Sequence, residues 1–118
     1  MAAQENNTLF GKILSGKIAT EFVYEDEFCV AFKDINPQAP VHLLVIPRAY
    51  IPSISAATPD QTLILGQLMQ AAKNVASSVG LDEGGYRLVI NNGPAAGQSV
   101  YHLHVHILGG RNLSWPPG

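Results

Sequence analysis

The chain has 118 residues, 47% of them apolar and 14% charged, with a formal net charge of −2. That length builds one domain, 1–118, with a modest core, and the near-balanced charge excludes bulk electrostatic binding to nucleic acid. No apolar run approaches the ~18 residues of a membrane span, the polar stretch 1–7 lacks a signal-peptide core and reads as disordered, and a single cysteine, Cys29, forbids an intrachain disulfide. A cytoplasmic protein in a reducing compartment, open to nuclear entry, is therefore expected. Cys29 sits in an apolar run and reads as a small core residue.

In chain order, residues 8–14 predict a short helix with Thr8 as N-cap and Leu9, Phe10 and Ile13 on one face. Residues 22–25 and 28–33 predict two strands around a tight acidic turn at Asp26-Glu27. Asp34 to Pro40 is a loop punctuated by prolines, and residues 42–46 predict a third strand closed by Pro47. Thr58 opens the long helix, with Pro59 at its first position and Gln61 completing a capping box. Its apolar positions are Leu65, Leu68, Met69, Ala72, Val75, Ala76 and Val79, and Gly80 stops it. Residues 86–91 predict a fourth strand, 92–97 a loop, 102–108 a fifth strand, and 111–118 a tail. Hairpins with one long helix, rather than regular βαβ units, imply an α+β fold with a largely antiparallel sheet. Proline-free edges of so small a sheet invite pairing with a second copy.

The fifth strand carries His102-Leu103-His104-Val105-His106-Ile107-Leu108. Alternation in an extended chain puts all three imidazoles on one face and the apolar residues on the other. Three groups that titrate near neutrality then share one small surface. Zinc accepts three imidazoles, but the outer pair is about 13 Å apart along a strand, and no carboxylate lies on that strand to orient the ligands. An anion fits the surroundings better. The preceding segment, Asn91 to Ser99, supplies neutral donors and glycines that let a backbone approach a ligand. Uncharged donors beside histidines suit phosphoryl or nucleotidyl transfer, with one neutral histidine as nucleophile and another as proton donor. No P-loop or GxGxxG motif is present. The bland alternative is an inert polar face on an edge strand.

The motif His102 to Leu108 resembles the signature of the histidine triad (HIT) family. Leu9-Phe10-Gly11-Lys12-Ile13, Phe32-Lys33-Asp34-Ile35, Pro37 to His42, Val45-Ile46-Pro47 and Gly97-Gln98-Ser99-Val100-Tyr101 resemble its Hint branch, as does the tail Gly109-Gly110-Arg111 with Trp115-Pro116-Pro117-Gly118. The resemblance implies a HIT-like fold, a five-stranded antiparallel sheet with one long and one short helix, continued across a homodimer. It implies hydrolysis of purine nucleoside 5′-phosphoramidates, such as adenosine 5′-monophosphoramidate, without metal or other cofactor. His104 would be the nucleophile and His106 would lie near the phosphate and leaving group, with His102 and His42 orienting them. Asn91, Gly97, Gln98 and Ser99 would surround the phosphate, and Asp34 would bind the ribose. Phe10, Ile13, Phe32, Ile35 and Leu44 would form the base slot. Trp115, in the tail near the active site, would lie on the leaving-group side. A nucleotide-binding scaffold and a Fhit-like dinucleoside polyphosphate hydrolase are the alternatives.

Overall fold

The computed structural model describes residues 6–118. Helix α1 spans Leu9–Leu14, and the Thr8 hydroxyl caps it by accepting from the Gly11 N–H at 3.0 Å. Phe10 and Ile13 are buried, whereas Leu9, expected on the same face, is 44% exposed. Adjacent helical positions diverge by about 100°, so a helix resting on a narrow stripe leaves one of them at the rim. Of the stretch 1–7 expected to be disordered, residues 1–5 lie outside the described residues. Asn6 is held in place, its Oδ1 accepting from the Thr8 hydroxyl at 2.7 Å and from the Thr8 N–H at 3.3 Å.

Strands β1 (Tyr24–Glu25) and β2 (Cys29–Lys33) form a hairpin. The Asp26 carboxylate closes its turn by accepting from the N–H groups of Phe28 and Cys29, both at 2.8 Å. β1 is shorter than the predicted 22–25, although Val23 N–H still donates to Ala31 O. Strand β3 spans Val41–Pro47, so Pro47 lies within it rather than beyond it. The long helix starts with one 3₁₀ turn, Pro59–Gln61, and continues as α2, Thr62–Ser78. The Gln61 side chain accepts from Thr58 N–H at 2.9 Å, and the Thr58 hydroxyl donates to Asp60. Leu68, Ala71, Ala72, Val75 and Ala76 are buried, while Met69 and Val79, predicted on the same stripe, are substantially exposed. The alanines let α2 approach the sheet closely along a narrow line, and residues at its margin stay in solvent. Gly80, at φ +79°, ends the helix; Leu81 N–H returns to Ala76 O and Gly80 N–H to Ser77 O.

Strands β4 (Tyr86–Val89) and β5 (Val105–Gly109) complete an antiparallel sheet of order β1-β2-β3-β5-β4. One face carries Cys29, Ala31, Leu43, Val45, Leu103, Val105 and Ile107 beneath α2. The other carries Val30, Phe32, Leu44 and Ile46 beneath Phe10 and Ile13 of α1. The predicted strand 102–108 is corrected at its start: regular pairing begins at Val105, opposite Val45. Two residues beyond Val45 stands Pro47, which has no N–H to extend the ladder. The alternation of faces survives in the irregular stretch, because Leu103 is buried in the α2-side core with Val105 and Ile107. No helix among the described residues is long and apolar enough to cross a membrane.

Candidate active site

The three histidines of the motif lie on the α1 side of the sheet, and His42 joins them from β3. The rings of His104 and His106 stand 5.1 Å apart, those of His42 and His106 5.2 Å, and Phe10 presses edge-on against His104 at 5.0 Å. Phe10 also packs against His102, at 6.3 Å.

Hydrogen bonds determine where each imidazole carries its proton. A carbonyl oxygen only accepts, so His102 donates from Nε2 to Pro47 O at 2.8 Å, and its Nδ1 is the acceptor for the Asn6 amide at 2.9 Å. His104 donates from Nδ1 to the His102 carbonyl at 2.7 Å. Its Nε2 therefore keeps a lone pair, has no partner among the described residues, and belongs to a ring that lines a cavity. In the third pair, Gln38 N–H donates to His42 Nδ1 at 3.0 Å, which places the His42 proton on Nε2. That proton is donated to His106 Nδ1 at 2.9 Å, so His106 presents an Nε2–H. The site thus offers one imidazole nitrogen that can attack and, on the neighbouring ring, one N–H that can donate.

Burial favours the neutral form of the three motif rings. It lowers the pKa of His102 below the ordinary histidine value, with the Pro47 carbonyl opposing. It does the same for His104, against the pull of the His102 carbonyl and Asp34. His106 is pushed down to about 4, by burial first and then by repulsion from His104 and His42. The same effect pushes the Cys29 thiol up to about 12, so this core thiol stays protonated.

The cavity beside the histidines has a volume of about 460 Å³, within the range of small-molecule sites. Phe10, Ile13, Phe32 and Leu44 form its apolar wall, Ile35 its lip, and Asp34, Ser99, His104 and His106 its polar end. Phe10, Ile13, Phe32 and Leu44 are core residues and line the cavity at the same time. Ile35 is not core: it is 95% exposed. The Asp34 carboxylate accepts from Asn36 N–H at 2.8 Å and its other oxygen lies 3.4 Å from His42 Nε2.

Other expected site residues are placed differently. Gln98 is corrected from a phosphate donor to a strut: its amide donates to Pro52 O and Val100 O, its Oε1 accepts from Gly93 N–H, and its own N–H donates to Gly93 O. Asn91 and Gly97 do not line the cavity. Gly97 instead ends a 3₁₀ turn in the left-handed region, at φ +82°. Trp115 also lies away from the cavity in a single chain, 81% exposed, with the Arg87 guanidinium 6.0 Å from its ring.

The donor set with metal-ligand proximity is not the row of three histidines but Asp34, His42 and His106, whose ligand atoms lie within 4.8 Å of one another. Within it the His42 and His106 nitrogens already share a hydrogen bond, which a cation would have to displace. Sequence reasoning missed Asn6, the Pro47 carbonyl and the Gln38 N–H, because backbone groups and a lone polar residue near a terminus carry no motif.

A five-stranded antiparallel sheet with four histidines converging beside a cavity defines a histidine-cluster α+β protein. A model of the HIT domain matches residues 15–113, and the chain belongs to the HIT family. It is 55% identical over 112 residues to an uncharacterized HIT-like protein of Synechocystis, covering 95% of this chain and 97% of that one. A crystal structure of a HIT family hydrolase from Legionella pneumophila superposes with a TM-score of 0.91 at 48% identity, covering 95% of this chain and all of that one. A HIT family hydrolase from Clostridium thermocellum gives 0.89 at 43% identity, covering 94% and 96%.

Proposed function

We propose that this protein is a member of the Hint branch, a purine nucleoside phosphoramidase that hydrolyses nucleoside 5′-phosphoramidates to the nucleoside monophosphate and an amine. The observation that carries the reading is the His104 tautomer: Nδ1–H is given to the His102 carbonyl, leaving Nε2 bare at the end of a nucleoside-sized cavity. The hydrolases among its structural neighbours support the reaction class.

In this reading His104 Nε2 attacks the phosphorus. A nitrogen–phosphorus bond forms to His104, the bond to the amine breaks, and the amine leaves with a proton taken from solvent, which the hydrolysis step returns. Water then cleaves the nucleotidyl-histidine and releases the monophosphate. The His106 Nε2–H stabilises charge on the phosphate and faces the leaving group, held there by His42. Ser99 offers a hydroxyl at the same end, and Asp34 accepts from ribose hydroxyls while the base lies against Phe10, Phe32 and Leu44. The active form is a homodimer whose second copy meets the β4 edge and the Trp115 tail. A buried free thiol at Cys29 suits the reducing, cytoplasmic setting that belongs to the same proposal.

The test is steady-state hydrolysis of an adenosine 5′-phosphoramidate bearing a fluorescent amine, in the presence of chelator. Wild type turns over, and His104→Ala loses at least about a thousandfold in kcat while keeping its far-ultraviolet circular dichroism. Retention of most turnover by His104→Ala would remove the covalent mechanism. Silence of both proteins would favour a nucleotide-binding scaffold.

A further inference from the structure

The residue that reaches His102 from outside the motif is Asn6. Its two ends are distinguishable. Oδ1 accepts from both the N–H and the hydroxyl of Thr8, so the amide group must face His102. The reverse orientation would set the NH₂ against two donors. Nδ2 then donates to His102 Nδ1 at 2.9 Å, and the opposite ring nitrogen donates to Pro47 O at 2.8 Å. Both nitrogens of a fully buried imidazole are thereby engaged.

A second observation concerns room. A Cβ on Gly11 would lie 2.5 Å from the Asn6 Cγ, Oδ1 and backbone oxygen. The missing side chain at position 11 is the space Asn6 occupies. Phe10, next to that glycine, packs on both His102 and His104. The start of α1 and the histidine segment are therefore fastened together at Asn6 and at Phe10.

We propose that Asn6 is a positioning residue: its amide holds His102 as the neutral Nε2–H tautomer, and through the His102 carbonyl it keeps the His104 nucleophile aimed. This rests on the reading of His104 as nucleophile. The titratable groups facing His102 are His104, which follows it in the motif, and Tyr50, whose ring lies 5.8 Å away. A donor at position 6 asks nothing of His102 Nδ1 but a lone pair. An acceptor there would demand a proton on Nδ1 while Pro47 O retains the one on Nε2, making His102 a cation. Attack by His104 develops positive charge on that ring, and a cation beside it opposes the step.

Asn6→Asp separates the two ends of the residue, because it keeps the acceptor that Thr8 uses and inverts the partner that His102 uses. The experiment uses the full chain labelled with ¹⁵N-histidine, read by long-range proton–nitrogen correlation across pH, beside the phosphoramidate assay. In wild type His102 is neutral at pH 7 with its proton on Nε2. In Asn6→Asp it is doubly protonated at pH 7; kcat falls on the order of tenfold or more and recovers as the pH rises and His102 loses the extra proton, with KM little changed. Gly11→Ala lowers kcat as Asn6→Ala does, and lowers it less in an Asn6→Ala background, where the clash with the Asn6 side chain is gone and only that with the backbone oxygen of residue 6 remains. If His102 stays neutral in Asn6→Asp, and the pH profile of kcat parallels wild type, Asn6 is only a partner of the helix cap and the proposal is overturned. A wild type without turnover would overturn the phosphoramidase reading and the kinetic role, while the histidine spectrum would still decide whether Asn6 sets the His102 proton.

Discussion

A histidine attacks through a nitrogen that holds no proton, so the partner of its other nitrogen decides which atom is the nucleophile. For His104 that partner is the backbone carbonyl two residues earlier, a contact that a row of alternating histidines makes locally. The pH dependence follows. Burial holds His104 below the ordinary histidine pKa, so the neutral form persists under mildly acidic conditions. The acid limb of kcat/KM is expected below pH 6.5, and an acid limb above that value would mean that the His102 carbonyl and Asp34 outweigh burial at His104. Stability has its own sign. The folded pKa of His106 is depressed to about 4, so between pH 6.5 and 4 the unfolded chain binds a proton that the native site refuses. Stability is full above about pH 6.5 and falls as the pH drops through that window. Denaturant midpoints measured at pH 7, 6 and 5 should decrease in that order, and less steeply in His106→Asn.

At the scale of elements, the end of β5 anchors the loop that fixes the His42 tautomer. Arg111 donates to Gln38 O at 3.0 Å, and the N–H of the same Gln38 donates to His42 Nδ1. Gly110 makes this approach possible. It sits at φ +87°, and a Cβ there would meet the Pro40 ring at 2.9 Å. Gly110→Ala should cost about 1–3 kcal/mol in chemical denaturation, since both the backbone conformation and a stiff neighbour oppose it. Gly109→Ala tests packing alone: its Cβ would meet the two methyls of Leu81 at 2.7 and 2.9 Å, and Leu81 is buried in the core beneath α2, so overpacking there should also cost about 1–3 kcal/mol, without the backbone strain of position 110. The helix caps and the acidic hairpin turn were legible in the sequence because each is made within a few residues. The start of β5 was not, because it depends on where Pro47 stands across the sheet.

At the scale of the whole molecule, β4 is an edge strand of four residues whose Leu88 is 38% exposed and whose Arg87 donates to Ser114 O in the tail. An unpaired proline-free edge with an exposed apolar side chain fits the proposed pairing with a second copy. Sedimentation velocity should therefore give twice the chain mass for wild type and a monomer for Leu88→Glu, with the fold retained in both. A monomeric wild type would remove the homodimer from the proposed active form.

The sequence by itself determined the antiparallel α+β architecture and the sharing of one face by three histidines, while its periodicity made Phe10, Ile13, Phe32 and Leu44 core and only the family resemblance implied a binding slot there. Period-two and period-3.6 patterns encode which way a side chain points, and that is local information. Only the tertiary structure decided that Gln98 is a strut, that Ile35 lies open at the cavity's lip, that Asp34, His42 and His106 form the tight donor cluster, and that Asn6 reaches a buried imidazole 96 residues away. Proton placement belongs to the same class. It depends on whether the atom opposite each ring nitrogen donates or accepts, and only packing the chain brings those atoms together.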